Sequence, residues 1–137
     1  MRAVGTFRYS PELRQGSLER RDGGSTRWWL IIDCDPELGR LFRRLHEMAT
    51  YRTRPLQAPL WGTHVSVIRG EEPPNPAEWG RFQGAEVEFD YEPLVQETDG
   101  YLWVAVACPR ALDLREQLGL PREPKPPLHL TIGNSQE

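Results

Sequence analysis

The chain has 137 residues, two cysteines and a net charge of −3 at pH 7. That length predicts a single domain spanning 1–137. The slight negative charge excludes a general attraction to a long nucleic-acid backbone, and two cysteines do not make a disulfide framework or a zinc site. No apolar run approaches the roughly 18 residues of a membrane span. The start of the chain lacks the apolar segment of a signal peptide, so we expect a cytoplasmic protein without a membrane partner.

The first third of the chain predicts a loop, a buried strand and a helix. Residues 10–26 are polar and rich in Gly, Ser and Arg, which indicates a loop or mobile segment. Residues 28–34 form a continuous apolar run, typical of a buried strand. Asp35 is then the predicted N-cap of a helix, with Pro36 at its first position. The arginines of this helix fall on its predicted solvated face. Its apolar stripe consists of Leu38, Leu41, Phe42, Leu45 and Met48.

The rest of the chain predicts four more strands and a second helix. The strict alternation of apolar and acidic residues over 85–91 is typical of a half-exposed antiparallel strand. The second helix ends at Gly119 as its C-cap. We therefore predict an α+β fold, in which antiparallel sheets carry two helices on their outer faces. The other predicted strands cover residues 61–68, 101–108 and 128–132.

A weak internal repeat divides this arrangement into two halves. Trp29 and Cys34 enclose one apolar run, and Trp103 and Cys108 enclose another of the same length. Each run is followed by a predicted helix, a loop and a strand. The repeat predicts two pseudo-symmetric lobes that flank a central cleft, although two ordinary buried strands could match by coincidence.

Each half ends in a histidine followed two residues later by a hydroxyl side chain. These pairs are His64 with Ser66 and His129 with Thr131, and apolar residues separate and follow their members. Residues two apart on a strand point to the same face. Each motif therefore predicts an imidazole beside a hydroxyl on one face of a sheet. The third histidine, His46, lies in a predicted helix and lacks the motif.

Two such motifs favour metal-free cleavage of a phosphodiester. Histidine titrates near neutral pH, so one imidazole can act as base while a protonated partner acts as acid. Ser66 and Thr131 can donate hydrogen bonds to the phosphate oxygens where charge develops. Imidazole and hydroxyl are a poor ligand set for a hard metal ion, so we predict no metal and no cofactor. A single histidine would more simply be structural; the matching pair favours catalysis.

These motifs resemble those of the 2H phosphoesterase superfamily, whose members carry two His-x-Ser/Thr motifs on the paired lobes of a bilobal fold. The longer strings at Trp61–Glu71 and Leu128–Gly133 look closest to the tailed-phage anti-CBASS phosphodiesterases. The resemblance covers most of the chain from residue 28 onward, but only the two motifs are specific.

The resemblance implies hydrolysis of 3′–5′ bonds in cyclic di- and trinucleotides, and hence a cyclic oligonucleotide as the partner. One histidine would deprotonate the free 2′-hydroxyl beside the scissile phosphate, and the other would protonate the 5′-oxygen. Hydrolysis would remove an immune signal of the host, in the host cytoplasm if the protein is encoded by a phage.

A compact nucleotide substrate also needs groups that stack on its bases and hold its other phosphates. The sequence candidates for these contacts are Tyr9, Trp61, Arg69 and Trp79, with Tyr91 as a further aromatic residue. For the aromatic residues, core packing is the competing interpretation.

Two other functions remain open at this point. One is an RNA 2′,3′-cyclic phosphodiesterase that acts on RNA ends with the same four motif residues, although the low net charge is unusual for a large RNA partner. The other is a non-catalytic module that sequesters nucleotides, which would not need a paired acid and base.

Overall fold

A computed structural model describes residues 1–12, 25–50, 56–59 and 62–134. Within these ranges the chain forms seven strands, two α-helices and a short 3₁₀ helix at Pro76–Glu78. No helix there is long and apolar enough to cross a bilayer. Most of the predicted loop at residues 10–26 lies outside the described residues. The elements are β1 (Arg2–Tyr9), β2 (Trp29–Cys34), α1 (Pro36–Ala49), β3 (His64–Arg69), β4 (Glu86–Tyr91), β5 (Gln96–Thr98), β6 (Tyr101–Ala107), α2 (Pro109–Gln117) and β7 (His129–Asn134).

The strands form one antiparallel sheet in the order β4-β1-β2-β3-β7-β6-β5. A further pairing between β4 and β6 closes six of them into a barrel, while β5 pairs only with the beginning of β6. The predicted α+β class, with antiparallel strands and two helices, is confirmed. The two separate sheets that the sequence predicted are joined into one, because β3 pairs with β7 and β4 pairs with β6.

One face of the sheet forms the hydrophobic core. In β4, Val87, Phe89 and Tyr91 are buried and the intervening acidic residues are exposed, as the alternation predicts. Both helices pack on this core side of the sheet. The helices contribute Phe42, Ala111, Leu114 and Leu118 to the core.

Helix α1 begins as predicted but buries less of its apolar stripe. Asp35 accepts a hydrogen bond of 2.9 Å from the backbone N–H of Glu37, and Pro36 occupies the first turn. Phe42 is buried and Leu38 partly so. The predicted apolar stripe is therefore only partly covered, because helical periodicity identifies an apolar face without showing whether another element packs on it. The exposed members are Leu41, Leu45 and Met48.

Candidate active site

The register of β3 against β7 brings the two histidine motifs together. His64 lies opposite Thr131 and Val65 lies opposite Leu130. Partners directly opposite one another in an antiparallel pair share a face, and so do residues two apart on each strand. His64, Ser66, His129 and Thr131 therefore all lie on one face, which we call the histidine face. Val65 and Leu130 point to the other face, where both are fully buried in the core.

This arrangement sets the two imidazoles close together. His64 and His129 occupy diagonal positions across the β3–β7 pair, where Cα atoms are typically about 7–8 Å apart. Two surface depressions are lined partly by residues of α1, and neither contains any of the four motif residues. The central cleft predicted between two lobes stays a prediction.

Each motif strand also carries a β-bulge directly after its hydroxyl residue. Between β2 and β3 the register skips Val67, and between β6 and β7 it skips Ile132. A bulge bends its strand and changes the direction of neighbouring side chains. The two bulges are 65 residues apart, as are the two histidines. The two halves of the barrel therefore share a bulge at the same position, directly after Ser66 in one and Thr131 in the other.

The two histidines make the same hydrogen bond. Nδ1 of His64 lies 2.7 Å from the carbonyl oxygen of Gly62, and Nδ1 of His129 lies 2.9 Å from that of Pro127. A carbonyl only accepts, so Nδ1 carries the proton in both rings. Nε2 is then a proton acceptor in the neutral ring and a donor in the imidazolium, which are the two states that acid–base catalysis needs.

The environment of His64 favours its neutral form. Only 7% of the residue is exposed, and burial lowers its pKa from the ordinary value of 6.5. The hydrogen bond to Gly62 raises this pKa, the positive charges of Arg69 and His129 lower it, and the carboxylate of Asp33 raises it. His64 is therefore suited to accept a proton near neutral pH.

Two tryptophans flank the histidines. The ring of Trp29 meets that of His64 edge-on at 5.6 Å between centroids, and Trp103 meets His129 in the same way at 5.7 Å. Nε1 of Trp29 also donates a hydrogen bond of 3.0 Å to Oγ of Ser66. Because Ser66 accepts this bond, its own hydroxyl proton is available to a ligand. Trp29 is buried, as its apolar run predicts, and Trp103 is partly buried. The sequence shows that the two tryptophans recur, but their contacts with the histidines depend on strand register.

The surroundings of the two histidines differ in their charged residues, because Arg69 and Asp33 both lie near His64. Arg69 lies opposite Trp29 in the β2–β3 pair, and its guanidinium is 5.7 Å from the centre of that ring, so it borders the histidine face. Asp33 lies opposite His64, whereas the residue opposite His129 is Ala105. Sequence reasoning missed Asp33, because its relation to His64 depends on strand register.

The structure does not bring Tyr9 and Trp79 to the histidine face. Tyr9 lies opposite Leu30, which points into the core, and its ring contacts that of Trp79 at 5.0 Å. Alternation along the strands thus places Tyr9 on the opposite side from the histidines. Tyr91 is buried against Phe42 and is a core residue. The fourth predicted contact residue, Trp61, lies outside the described residues.

No family model, curated protein or solved structure matches this chain.

Proposed function

We propose that this chain is a metal-independent phosphodiesterase of the 2H type, which cleaves 3′–5′ bonds in cyclic di- and trinucleotides. The proposal is carried by the register of β3 against β7, which places two imidazoles and two hydroxyls on one face. We further propose that the two halves of the barrel correspond to the two lobes of the 2H fold. The shared element order, the paired bulges and the matching histidine hydrogen bonds support that correspondence.

In the proposed reaction, His64 is the base and His129 is the acid. Neutral His64 accepts the proton of the 2′-hydroxyl, whose oxygen attacks the adjacent phosphorus and forms a new P–O bond. The bond to the 5′-oxygen breaks, and the imidazolium of His129 gives its proton to that oxygen. The first product is a 2′,3′-cyclic phosphate. Ser66 and Thr131 donate hydrogen bonds to the non-bridging oxygens, where negative charge increases in the transition state.

The surroundings of the site favour a small substrate with more than one phosphate. Arg69 is exposed and lies beside Trp29, and we propose that its guanidinium contacts a second phosphate of a cyclic nucleotide. The net charge of −3 gives no general attraction to a long RNA. A local positive group in an overall acidic protein fits a compact ligand better than an extended one.

A substrate panel in excess EDTA tests this proposal. The panel contains 3′–5′ cyclic di- and trinucleotides, their 2′–5′ isomers and a linear RNA that ends in a 2′,3′-cyclic phosphate. We expect the 3′–5′ cyclic compounds to be cleaved fastest and to pass through a 2′,3′-cyclic phosphate. Preference for the RNA end would establish the RNA-end function instead, and binding without turnover would establish sequestration. Loss of activity in EDTA that a divalent ion restores would contradict the metal-free mechanism.

A further inference from the structure

Two arginines outside the histidine face make equivalent contacts with the two bulges. Nη1 of Arg115 in α2 donates a hydrogen bond of 2.9 Å to the carbonyl oxygen of Val67. Nη1 of Arg43 in α1 donates one of 2.6 Å to that of Ile132. Val67 and Ile132 are the bulged residues that directly follow Ser66 and Thr131. Each bulge carbonyl is therefore bound by a guanidinium.

These contacts run between the halves of the barrel. Helix α1 follows β2, but Arg43 reaches β7; helix α2 follows β6, but Arg115 reaches β3. The two arginines are 72 residues apart, and so are Ile31 and Trp103, which lie opposite Ser66 and Thr131. The arginine contacts thus follow the same pseudo-twofold relation as the strands.

The prediction that the arginines of α1 form a solvated face is wrong for Arg43. A bulge leaves its extra residue outside the regular ladder, so the carbonyl of Ile132 needs another donor. The guanidinium of Arg43 supplies this donor, and its side chain reaches the carbonyl by passing over Gly133, which has no side chain. A Cβ atom on Gly133 would lie 2.8 Å from Cδ of Arg43, so the glycine gives the arginine its path.

We propose that Arg43 and Arg115 are positioning residues, which fix the two bulges and thereby the directions of the Thr131 and Ser66 hydroxyls. This inference rests on the proposed phosphodiesterase function. The carbonyl that each guanidinium holds belongs to the bulged residue, which directly follows the hydroxyl residue. Holding it fixes the conformation of the bulged residue and so constrains the adjoining backbone that carries the hydroxyl. Neither arginine contacts the substrate in this account. Each acts through the hydroxyl of the opposite half.

Arg43 is the better of the two for a test. Arg115 is 1% exposed and also binds Glu71 through two hydrogen bonds of 2.8 and 2.9 Å and the carbonyl of Pro121 at 2.9 Å, so its loss would endanger folding. Arg43→Met keeps most of the side-chain length but removes the donor. Arg43→Lys restores a donor, and Arg44→Met is a matched control at an exposed position of the same helix.

We expect Arg43→Met to lower kcat by about tenfold to a hundredfold, the usual effect of misplacing a transition-state contact, with KM nearly unchanged. Arg43→Lys should recover part of the loss, and Arg44→Met should match the wild type. The decisive comparison uses two backgrounds. In Thr131→Val, Arg43→Met should add little, because its target hydroxyl is gone; in Ser66→Ala it should keep its full effect. Equal losses in both backgrounds, or no loss at all, would overturn the proposal.

A second measurement separates this inference from the proposed function. The methyl resonance of Thr131 reports the orientation of its side chain whether or not the protein hydrolyses a phosphodiester. Arg43→Met should shift that resonance and Arg44→Met should not. If the wild type cleaves no compound of the panel, the phosphodiesterase proposal fails while the shift still supports positioning. An unshifted resonance overturns the positioning proposal in either case.

Discussion

At the scale of single residues, the site depends on two similar imidazoles in different surroundings. His64 is almost completely buried, whereas His129 is more exposed to solvent. Both donate Nδ1–H to a carbonyl two residues earlier in the chain, so in both rings Nε2 is the nitrogen that takes no part in this bond. In the proposed reaction the buried His64 is the base and the more exposed His129 is the acid.

The pH dependence of kcat/KM follows from the lowered pKa of His64. A base must be neutral to act, so kcat/KM should fall as the pH drops through this pKa. Because burial lowers the pKa below its ordinary value of 6.5, the acidic limb of the profile should lie below pH 6.5. A steady-state profile from pH 4 to 9 measures it. An acidic limb above pH 6.5 would contradict the assignment of His64 as the base.

The same lowered pKa has a consequence for folding. Unfolded His64 binds a proton more readily than the folded residue, so the free energy of unfolding should decrease as the pH falls below the unfolded pKa of about 6.5. Urea denaturation at several pH values, for the wild type and His64→Gln, checks this. The variant should lose part of that pH dependence; an unchanged dependence would contradict the burial argument.

The hydroxyl of Ser66 should contribute directly to catalysis. Removing one preorganised donor to a developing charge typically costs about 10²–10³ in kcat, so we expect a loss of that order for Ser66→Ala. Ser66→Thr keeps the hydroxyl, as in the second motif, and should retain much more activity. Steady-state kinetics distinguish the two variants. Equal activities would show that the hydroxyl is not required.

The sequence predicts the motif residues better than their neighbours. A period of two on a strand depends only on local geometry, so the common face of His64 and Ser66 follows from spacing. The contacts of Trp29 and Arg43 depend on which strands and helices meet, and a single sequence does not contain that information. These residues looked like ordinary core and surface positions for that reason.

At the scale of elements, the start of α1 is the clearest agreement between sequence and structure. The Asp35 carboxylate satisfies a backbone N–H that would otherwise lack a partner. We expect Asp35→Ala to lower the free energy of unfolding by about 1 kcal/mol, and Asp35→Asn, which keeps a capping oxygen, to lower it less. Urea denaturation measures both. A loss as large for Asn as for Ala would show that the cap is not the cause.

The same helix shows where element-scale prediction ends. Its termini follow from local chemistry, because a cap and a proline act within a few residues. Burial of Leu45 and Met48 requires another element on top of them, and among the described residues they remain exposed. Periodicity therefore predicted the helix correctly and its packing only in part.

At the scale of the whole molecule, the pairing of β3 with β7 joins the two halves and builds the histidine face. Leu130 lies in this pairing and is fully buried. We expect Leu130→Ala to lower the free energy of unfolding by about 2–5 kcal/mol, through lost burial and a new cavity. Leu45→Ala, at a half-exposed position of α1, should cost less than about 0.5 kcal/mol. Chemical denaturation that gave equal losses would contradict the described core.

Closure of the barrel could not be predicted from the sequence. The β3–β7 pair joins segments far apart in the chain, and β5 lies between β4 and β6, so no tight turn fixes the register of either pair. The α+β class, the strands and the helices follow from local patterns, but the joining of two predicted sheets into one does not.

The central claim is that His64 and His129 act as a pair on one phosphodiester. Its most direct measurement is the rate of cyclic-nucleotide hydrolysis by His64→Ala, His129→Ala and the double variant, with His46→Ala as the control at the third histidine. Each motif variant should lose at least about 10²–10⁴-fold, the double variant should be little worse than the poorer single variant because the residues act as a unit, and His46→Ala should match the wild type. An unchanged rate in either motif variant would contradict the account.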